Sequence, residues 1–176
     1  MKYSEKILNK FGDEISLLSM EDYVSNELDV NLFSEVLADK KVFEYIAAEA
    51  MELYEHKTLL SLSKDILDHS AIRWKENKER RLLIRNKVGN PIGMIGITLE
   101  NNSSGEIWYY KTSKEPAFMY DALVKAIDYF SSIGIEKIIS AVEEDNLHSL
   151  KMLELLSFKK ERTEGSLVWY ILKKEK

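Results

Sequence analysis

Apolar residues recur at intervals of three and four between positions 119 and 133, and this is the clearest periodic pattern in the chain. Such spacing places them on one side of an α-helix. The apolar positions are Met119, Leu123, Ala126, Ile127, Phe130 and Ile133. Charged residues fall on the opposite side, and Gly134 follows where a left-handed residue commonly ends a helix. The pattern predicts an amphipathic helix that packs one side against a sheet.

Short runs of β-branched and aromatic residues lie on both sides of this helix. Residues 106–110 (EIWYY) precede it and residues 135–143 follow it, and both runs are typical of strands. A strand, a loop, a helix and a second strand form the crossover that brings two strands parallel. The loop before the helix collects unpaired backbone N–H groups at the positive end of the helix dipole, which suits an anion.

The rest of the chain predicts further elements around this unit. Strands are predicted at residues 14–18, 80–85, 92–99 and 169–174. Helices are predicted at residues 31–38, 42–54 and 58–74. Their expected inward positions include Phe43, Ile46, Leu62, Ile66 and Ile72. The predicted fold class is α/β: a single domain over residues 1–176, with a mixed, twisted sheet of about six or seven strands and helices on both faces.

Composition narrows the class of protein. Of 176 residues, 45% are hydrophobic and 31% charged, which is ordinary for a soluble globular domain. The absence of cysteine excludes disulfides, thiolate metal sites and a cysteine nucleophile. A net charge of −5 disfavours nucleic acid as a partner and suits an amine-bearing one. No apolar run approaches the ~20 residues of a membrane span, and residues 1–14 lack a signal-peptide block. We therefore expect a cytoplasmic protein with no membrane partner.

The histidines and the acidic residues predict no metal site. His56, His69 and His148 lie far apart, outside metal-ligand spacing. The acidic run at residues 143–145 (EED) is typical of a solvated strand end that also favours the N-terminus of the next helix. No bound metal ion is therefore expected.

Residues 145–161 (DNLHSLKMLELLSFKKE) carry a recognisable signature that leads from a strand into a helix. Asn146 is followed three positions later by Ser149, and leucines then lead to Ser157 and Phe158. Together with residues 92–97 (IGMIGI) and the EIWYY strand, this segment resembles the GNAT N-acetyltransferase superfamily. The resemblance is nearest to the branch that modifies ribosomal-protein N-termini and similar small amines. That branch has glycine where this chain has Ser157.

The resemblance implies an activity and residues for it. It implies transfer of an acetyl group from acetyl-coenzyme A, as co-substrate, to a primary amine, either of a small molecule or of a peptide N-terminus. Glu106 is the candidate base, because an ammonium must lose a proton before its nitrogen can attack. Ser149 is the candidate proton donor for the departing thiolate, with Tyr170 as the alternative. Asn146 has the features of an N-cap and, through the resemblance, of a cofactor contact.

The same resemblance places the cofactor along the end of the EIWYY strand and the loop that follows. The backbones of Tyr110 and Lys111 are expected to pair with the pantetheine arm. The residues expected to bind near the diphosphate are Lys114, Ala117, Phe118 and Met119. The family pattern is Arg or Gln, two residues, Gly, one residue, and Gly or Ala, whereas this loop reads KEPAFM.

This loop therefore predicts reduced cofactor affinity. Pro116 lacks an N–H donor, and Glu115 adds a negative charge near the expected diphosphate. Losing one hydrogen bond to a charged group predicts acetyl-coenzyme A binding roughly ten- to a hundredfold weaker than in better-matched members.

The sequence leaves alternatives open. The chain is either an N-acetyltransferase or a non-catalytic member that keeps the fold as a binding or interaction module. An acyltransferase whose donor lacks the diphosphate is a third interpretation. A homodimer and the identity of the amine acceptor are also left open.

Overall fold

One twisted sheet of eight strands runs through the computed structural model, which describes residues 3–8, 12–53, 55, 58–115 and 118–173. The strands in this part of the chain are β1 (Ser4–Leu8), β2 (Glu14–Ser19), β3 (Glu79–Asn86), β4 (Pro91–Asn101), β5 (Ser104–Lys111), β6 (Lys137–Glu143), β7 (Lys159–Glu164) and β8 (Leu167–Lys173). Their order in the sheet is β1-β2-β3-β4-β5-β6-β8-β7. β5 and β6 are parallel, and the other neighbours are antiparallel.

The helices account for most of the remaining described residues. They are α1 (Glu27–Leu37), α2 (Lys40–Val42), α3 (Ala48–Leu53), α4 (Leu59–Lys75), α5 (Met119–Ser132) and α6 (Leu147–Leu155). The single helix predicted over residues 42–54 is wrong in one respect, because a π-helical turn at Phe43–Ala47 separates α2 from α3. Among the described helices, none is both long and apolar enough to cross a membrane.

Helices cover both faces of the sheet, and each face has its own apolar core. On the first, which we call the α5/α6 face, Leu123 and Phe130 are fully buried. On the second, the α1/α4 face, Phe33 and Leu62 are fully buried. Strand β4 lies between the two cores, and its residues 91–97 are buried, as expected for a strand covered on both sides. The predicted mixed α/β sheet with helices on both faces is therefore confirmed, with eight strands instead of six or seven.

Three apolar residues predicted to point inward are exposed. Ile133 is 41% exposed because α5 ends at Ser132. Ile72 is 48% exposed. The buried side of α4 contains Leu67 and Ser70, and position 72 lies on the other side of the helix. Phe43 is 39% exposed, and it begins the π-helical turn, whose extra residue per turn changes the direction of its side chains.

The two strands at the sheet edges account for the higher strand count. All six residues of β7 are exposed, and its sequence KKERTE contains no apolar residue. In β1 only Ile7 is buried. Neither segment has the alternation of apolar and polar residues by which a half-buried strand is predicted. A charged edge strand of this kind also resists pairing with other chains.

An ion pair fixes the start of α1 against the sheet. The Arg85 guanidinium on β3 donates to both carboxylate oxygens of Asp29 at 2.8 Å and 2.7 Å. Tyr23 donates a further hydrogen bond to the same carboxylate. These contacts lower the pKa of Asp29, and the hydrogen bond from Arg85 has the largest effect. Burial acts in the opposite direction and is outweighed. The pair therefore contributes stability above the usual aspartate pKa that is lost as pH falls through the lowered value.

The end of α6 predicts a stabilising substitution. Ser157 has a φ of 67° at the helix stop, in the left-handed region that costs an L-residue about 1–2 kcal/mol. Ser157→Gly should remove that strain, although glycine loses more chain entropy on folding. Because the strain is the larger effect, we expect the free energy of unfolding to rise by roughly 0.5–1 kcal/mol in urea titrations. Gly134→Ala, at a φ of 100°, is the matched control and should destabilise. A less stable Ser157→Gly protein would contradict this account of the helix stop.

Candidate functional site

The parallel strands β5 and β6 separate part of the way along the sheet. They pair at three positions, and the last pair is Glu106 with Ile139. One step further, the Ser140 hydroxyl donates to the backbone oxygen of Ile107 at 3.3 Å. Among the described residues, positions 107–111 of β5 have no partner strand on this side, although they continue to pair with β4 on the other. A cleft with free backbone groups along one wall therefore opens at the centre of the sheet.

Side chains of β5 alternate between the two faces at this cleft. Tyr110 belongs to the core of the α1/α4 face, and Trp108 packs against the same core. Their rings stack at 6.0 Å with an interplanar angle of 10°. A Cβ on Gly96 of β4 would lie 2.1 Å from the Trp108 ring, so glycine at this position makes room for the indole. Tyr109 points the other way and packs against the core of the α5/α6 face.

Glu106 lies at the closed end of the cleft, on the same face as Trp108. Burial raises the pKa of Glu106, the backbone N–H of Ala141 opposes that rise, and the charge of Glu100 adds to it. Ala141 follows the last paired positions of β6, so its N–H contacts the carboxylate from across the cleft. A carboxylate with a raised pKa at the edge of a cleft is suited to accept a proton near neutral pH.

Asn146 and Ser149 lie where β6 leads into α6. The Asn146 side chain accepts a hydrogen bond from the backbone N–H of Ser149 at 3.2 Å, which confirms the predicted N-cap. The Ser149 side chain contacts the hydroxyl of Tyr109, although the two do not meet the geometry of a full hydrogen bond. Sequence reasoning missed Tyr109 here, because nothing local marks a contact between residues 40 positions apart.

Tyr170, the alternative proton donor, has a different partner. Its ring is buried, and its hydroxyl donates to Glu154 near the end of α6 at 3.2 Å. Burial and then this glutamate raise the pKa of Tyr170. Its hydroxyl is therefore engaged away from the Tyr109–Ser149 contact.

The Lys111 side chain forms hydrogen bonds with the backbone of the loop before α5. Its ammonium donates to the backbone oxygens of Thr112 and Glu115 at 3.1 Å and 3.0 Å. It also lies 5.3 Å from the centre of the Phe118 ring. Burial lowers the pKa of Lys111, against the charges of Asp39 and Glu115. The side chain of Lys111 is thus part of the loop structure, a role that the sequence did not predict. The expected pairing of its backbone with the pantetheine arm stays a prediction.

Asp39, between α1 and α2, fixes the start of the same loop. Its carboxylate accepts from the backbone N–H and the hydroxyl of Ser113 at 2.7 Å and 2.6 Å, and from the Thr112 hydroxyl at 3.3 Å. Burial opposes its ionisation, but these hydrogen bonds outweigh burial and lower the pKa of Asp39. Sequence reasoning missed Asp39, whose partners in this loop lie more than 70 positions away. The loop is therefore joined to the helices of the α1/α4 face.

The predicted loop residues divide by what their side chains contact. Lys114 is exposed and extends towards Glu35 of α1, at 3.9 Å. The Glu115 carboxylate accepts a hydrogen bond at 2.9 Å from Asn86, the last residue of β3. Phe118 and Met119 are buried, so their side chains belong to the core and only their backbones are available to a ligand. Ala117 lies outside the described residues.

The N-terminus of α5 leaves backbone donors for an anion. Its N-cap, Phe118, makes no side-chain capping hydrogen bond. The first N–H groups of a helix have no intrahelical partner, so they favour a negatively charged group placed there. Among the described residues, no cluster of three or more histidine or acidic side chains is arranged to hold a metal ion.

A cavity of about 740 Å³ lies away from this cleft. Its walls come from β1, the end of α4 and the outer side of α5, and include the stacked rings of Tyr3 and Tyr129 at 4.1 Å. A smaller cavity of about 120 Å³ lies beside the loop, between Val36, Asn86 and Glu115. Neither includes Glu106, Tyr109 or Ser149.

Solved structures of two proteins share this fold. The N-acetyltransferase PseH of Campylobacter jejuni is 16% identical, over 92% of this chain and 99% of that one, with a TM-score of 0.64. PseH has also been solved in complex with acetyl coenzyme A. A spermidine N-acetyltransferase of Vibrio cholerae, solved with CoA and spermine, is 15% identical over 90% of this chain and 95% of that one, with a TM-score of 0.65.

Sequence comparison defines the family. No curated protein matches the chain in sequence. The family model for the acetyltransferase (GNAT) domain matches residues 24–159, which include the cleft, the loop and α6. Because that match covers well over half of the 176 residues, the chain belongs to the GNAT acetyltransferase family.

Proposed function

We propose that this protein transfers an acetyl group from acetyl-coenzyme A to a primary amine, with the donor in the cleft between β5 and β6. The observation that carries the proposal is the position of three groups around that cleft. Glu106 lies at its closed end, unpaired backbone lines one wall, and the Tyr109 and Ser149 hydroxyls lie on the α5/α6 face. These groups match the needs of acyl transfer: a base, donors for a developing oxyanion, and a proton source.

The donor binds by adding its pantetheine arm to the free edge of β5. Amide groups of the arm pair with the backbone near Tyr110 and Lys111, as an added strand pairs with a sheet edge. The diphosphate lies at the uncapped N-terminus of α5, where backbone N–H groups and the helix dipole favour an anion. The nearby Lys111 ammonium adds a positive charge beneath the loop.

The amine attacks the thioester directly, which is consistent with a chain that has no cysteine. Glu106 takes the proton that the ammonium must lose, and its raised pKa brings it closer to neutral pH. A backbone N–H near Tyr110 stabilises the oxyanion, which is commonly a large electrostatic contribution in acyl transfer. The family resemblance implies Ser149 as the proton donor to the thiolate, and the Tyr109 hydroxyl lies beside the Ser149 side chain.

The acceptor enters from the α1/α4 face, on which Glu106 lies. Trp108 and Tyr110 form an aromatic wall there. The acceptor is the amine of a small molecule or of a peptide N-terminus, in keeping with the net charge of −5.

A second candidate function is a non-catalytic binding module, and the loop is the observation that favours it. The backbone N–H of Ser113 is already occupied by Asp39, and that of Lys114 by the Thr112 hydroxyl at 3.3 Å. Fewer donors therefore remain for a diphosphate. Release of coenzyme A thiol from acetyl-coenzyme A with spermidine, a simple alkylamine or a short peptide as acceptor separates the two functions. Turnover with any acceptor supports the enzyme, and cofactor binding without turnover supports the module.

Glu106→Gln tests the proposed base. We expect turnover with the best of these amines to fall by ~10²–10⁴, with the affinity for coenzyme A unchanged in calorimetry. Because ionised Glu106 is disfavoured by burial, its charge opposes folding above the usual glutamate pKa of 4.5. The variant should therefore be no less stable than the unmodified protein at neutral pH.

Glu100→Gln is the matched control for the base. The charge of Glu100 raises the pKa of Glu106, so its removal should shift the acidic limb of the kcat/KM profile to lower pH and leave the plateau unchanged. Wild-type turnover in Glu106→Gln would remove Glu106 from the mechanism.

Glu115→Gln tests the charge of the loop. A glutamine oxygen still accepts the Asn86 hydrogen bond, so the change deletes charge and keeps the contact. We expect coenzyme A to bind about two- to fivefold more tightly in calorimetry, the scale of one partly screened charge. Glu161→Gln on the exposed strand β7 is the control and should have no effect. Equal affinities for both variants would place the Glu115 charge too far from the diphosphate to matter.

A further inference from the structure

The Tyr109 hydroxyl is a buried polar group on β5. Its hydroxyl oxygen is inaccessible to solvent and makes no full hydrogen bond with any described residue. Burying a hydroxyl in this way costs free energy, because the group gives up its hydrogen bonds to water. Phenylalanine at this position would pack the same ring without that cost. A buried, unpaired phenol therefore points to a partner that arrives with a ligand.

The position of Tyr109 shows where that ligand lies. It is three residues beyond Glu106, the last residue of β5 that pairs with β6. Its side chain lies on the α5/α6 face, opposite to Glu106. Its neighbour Ser149 belongs to α6, the element that directly follows β6. The Tyr109–Ser149 contact thus connects the two sides of the cleft at the level where the strands have separated.

Acid strength favours the phenol over the serine as a proton source. The usual pKa of a tyrosine is 10.0, and that of a cysteine-like thiol is about 8.5, so a proton passes between them at moderate cost. An alkyl hydroxyl is a far weaker acid than either. Burial raises the pKa of Tyr109, and the Ser149 hydroxyl opposes that rise; no charged group contributes from the described residues. Ser149 thus acts to stabilise a phenolate at position 109.

We propose that Tyr109 is the proton donor to the departing thiolate of coenzyme A, and that Ser149 supports Tyr109 instead of donating itself. This inference rests on the proposed acetyl transfer. The amine nitrogen forms a bond to the acetyl carbon, the carbon–sulfur bond breaks, and its electron pair goes to sulfur. The Tyr109 O–H proton then passes to sulfur and gives the free thiol. The attacking nitrogen loses one proton through Glu106 before attack and a second as the amide forms, and both pass to the solvent. The phenolate regains one proton from the solvent, so one proton is released overall.

Two matched substitutions test this assignment. With acetyl-coenzyme A and the amine of highest turnover, Tyr109→Phe should lower kcat by ~10²–10³, with the KM for acetyl-coenzyme A nearly unchanged. Its urea midpoint should equal or exceed that of the unmodified protein, because the change removes an unpaired buried hydroxyl. Ser149→Ala should lower kcat by less, about tenfold or under. Tyr129→Phe, on the outer side of α5 and away from the cleft, is the control and should leave kcat unchanged.

A structural role for Tyr109 is excluded by a second measurement. Difluorotyrosine at position 109 keeps the size and shape of the ring and makes the phenol more acidic. The alkaline limb of the kcat profile should then move to lower pH, which a purely structural ring would not cause.

The outcomes separate this inference from the proposed function. Wild-type kcat in Tyr109→Phe, or an alkaline limb that does not move, overturns the assignment to Tyr109 and returns the donor role to Ser149. Absence of turnover in the unmodified protein with every amine overturns the proposed function and this inference together.

Discussion

Backbone hydrogen bonding at the centre of the sheet is the constraint on which the site depends. A strand inside a sheet normally satisfies its N–H and C=O groups with neighbours on both sides. β5 and β6 keep this arrangement for three residue pairs and then lose it, while each stays fully paired with its outer neighbour. Because β4 and β8 continue to hold the two strands, the separation is a fixed property of the fold. The unpaired backbone is therefore available to the proposed ligand, which would pair with it like a strand.

The two faces of the sheet present different side chains to this cleft. Alternation along β5 sends Glu106 and Trp108 to the α1/α4 face and Tyr109 to the α5/α6 face. The proposed proton acceptor and the proposed proton donor therefore lie on opposite sides of the cleft. Asp39 links the two faces through hydrogen bonds, because its carboxylate joins Ser113, at the start of the loop before α5, to the helices of the α1/α4 face.

Local patterns in the sequence predicted the elements that carry the site, and polar contacts between distant residues escaped prediction. The α5 stripe, the crossover between β5 and β6 and the Asn146 cap each have a signal within a few residues, and all three are present. The edge strands β1 and β7 lacked such a signal, since they bury few or no side chains. The contacts of Asp39 with Ser113 and of Glu115 with Asn86 depend on how distant segments meet, which periodicity does not encode. The proposed roles of Glu106 and Ser149 came from family resemblance and stay predictions.

Hydrogen–deuterium exchange with and without coenzyme A tests the central claim most directly. If the pantetheine arm pairs with the free edge of β5, backbone amides within residues 107–111 should exchange more slowly when coenzyme A is present. The amides of β1, at the far edge of the sheet, should be unchanged. Slower exchange elsewhere in the chain, with residues 107–111 unaffected at saturating coenzyme A, would contradict the account.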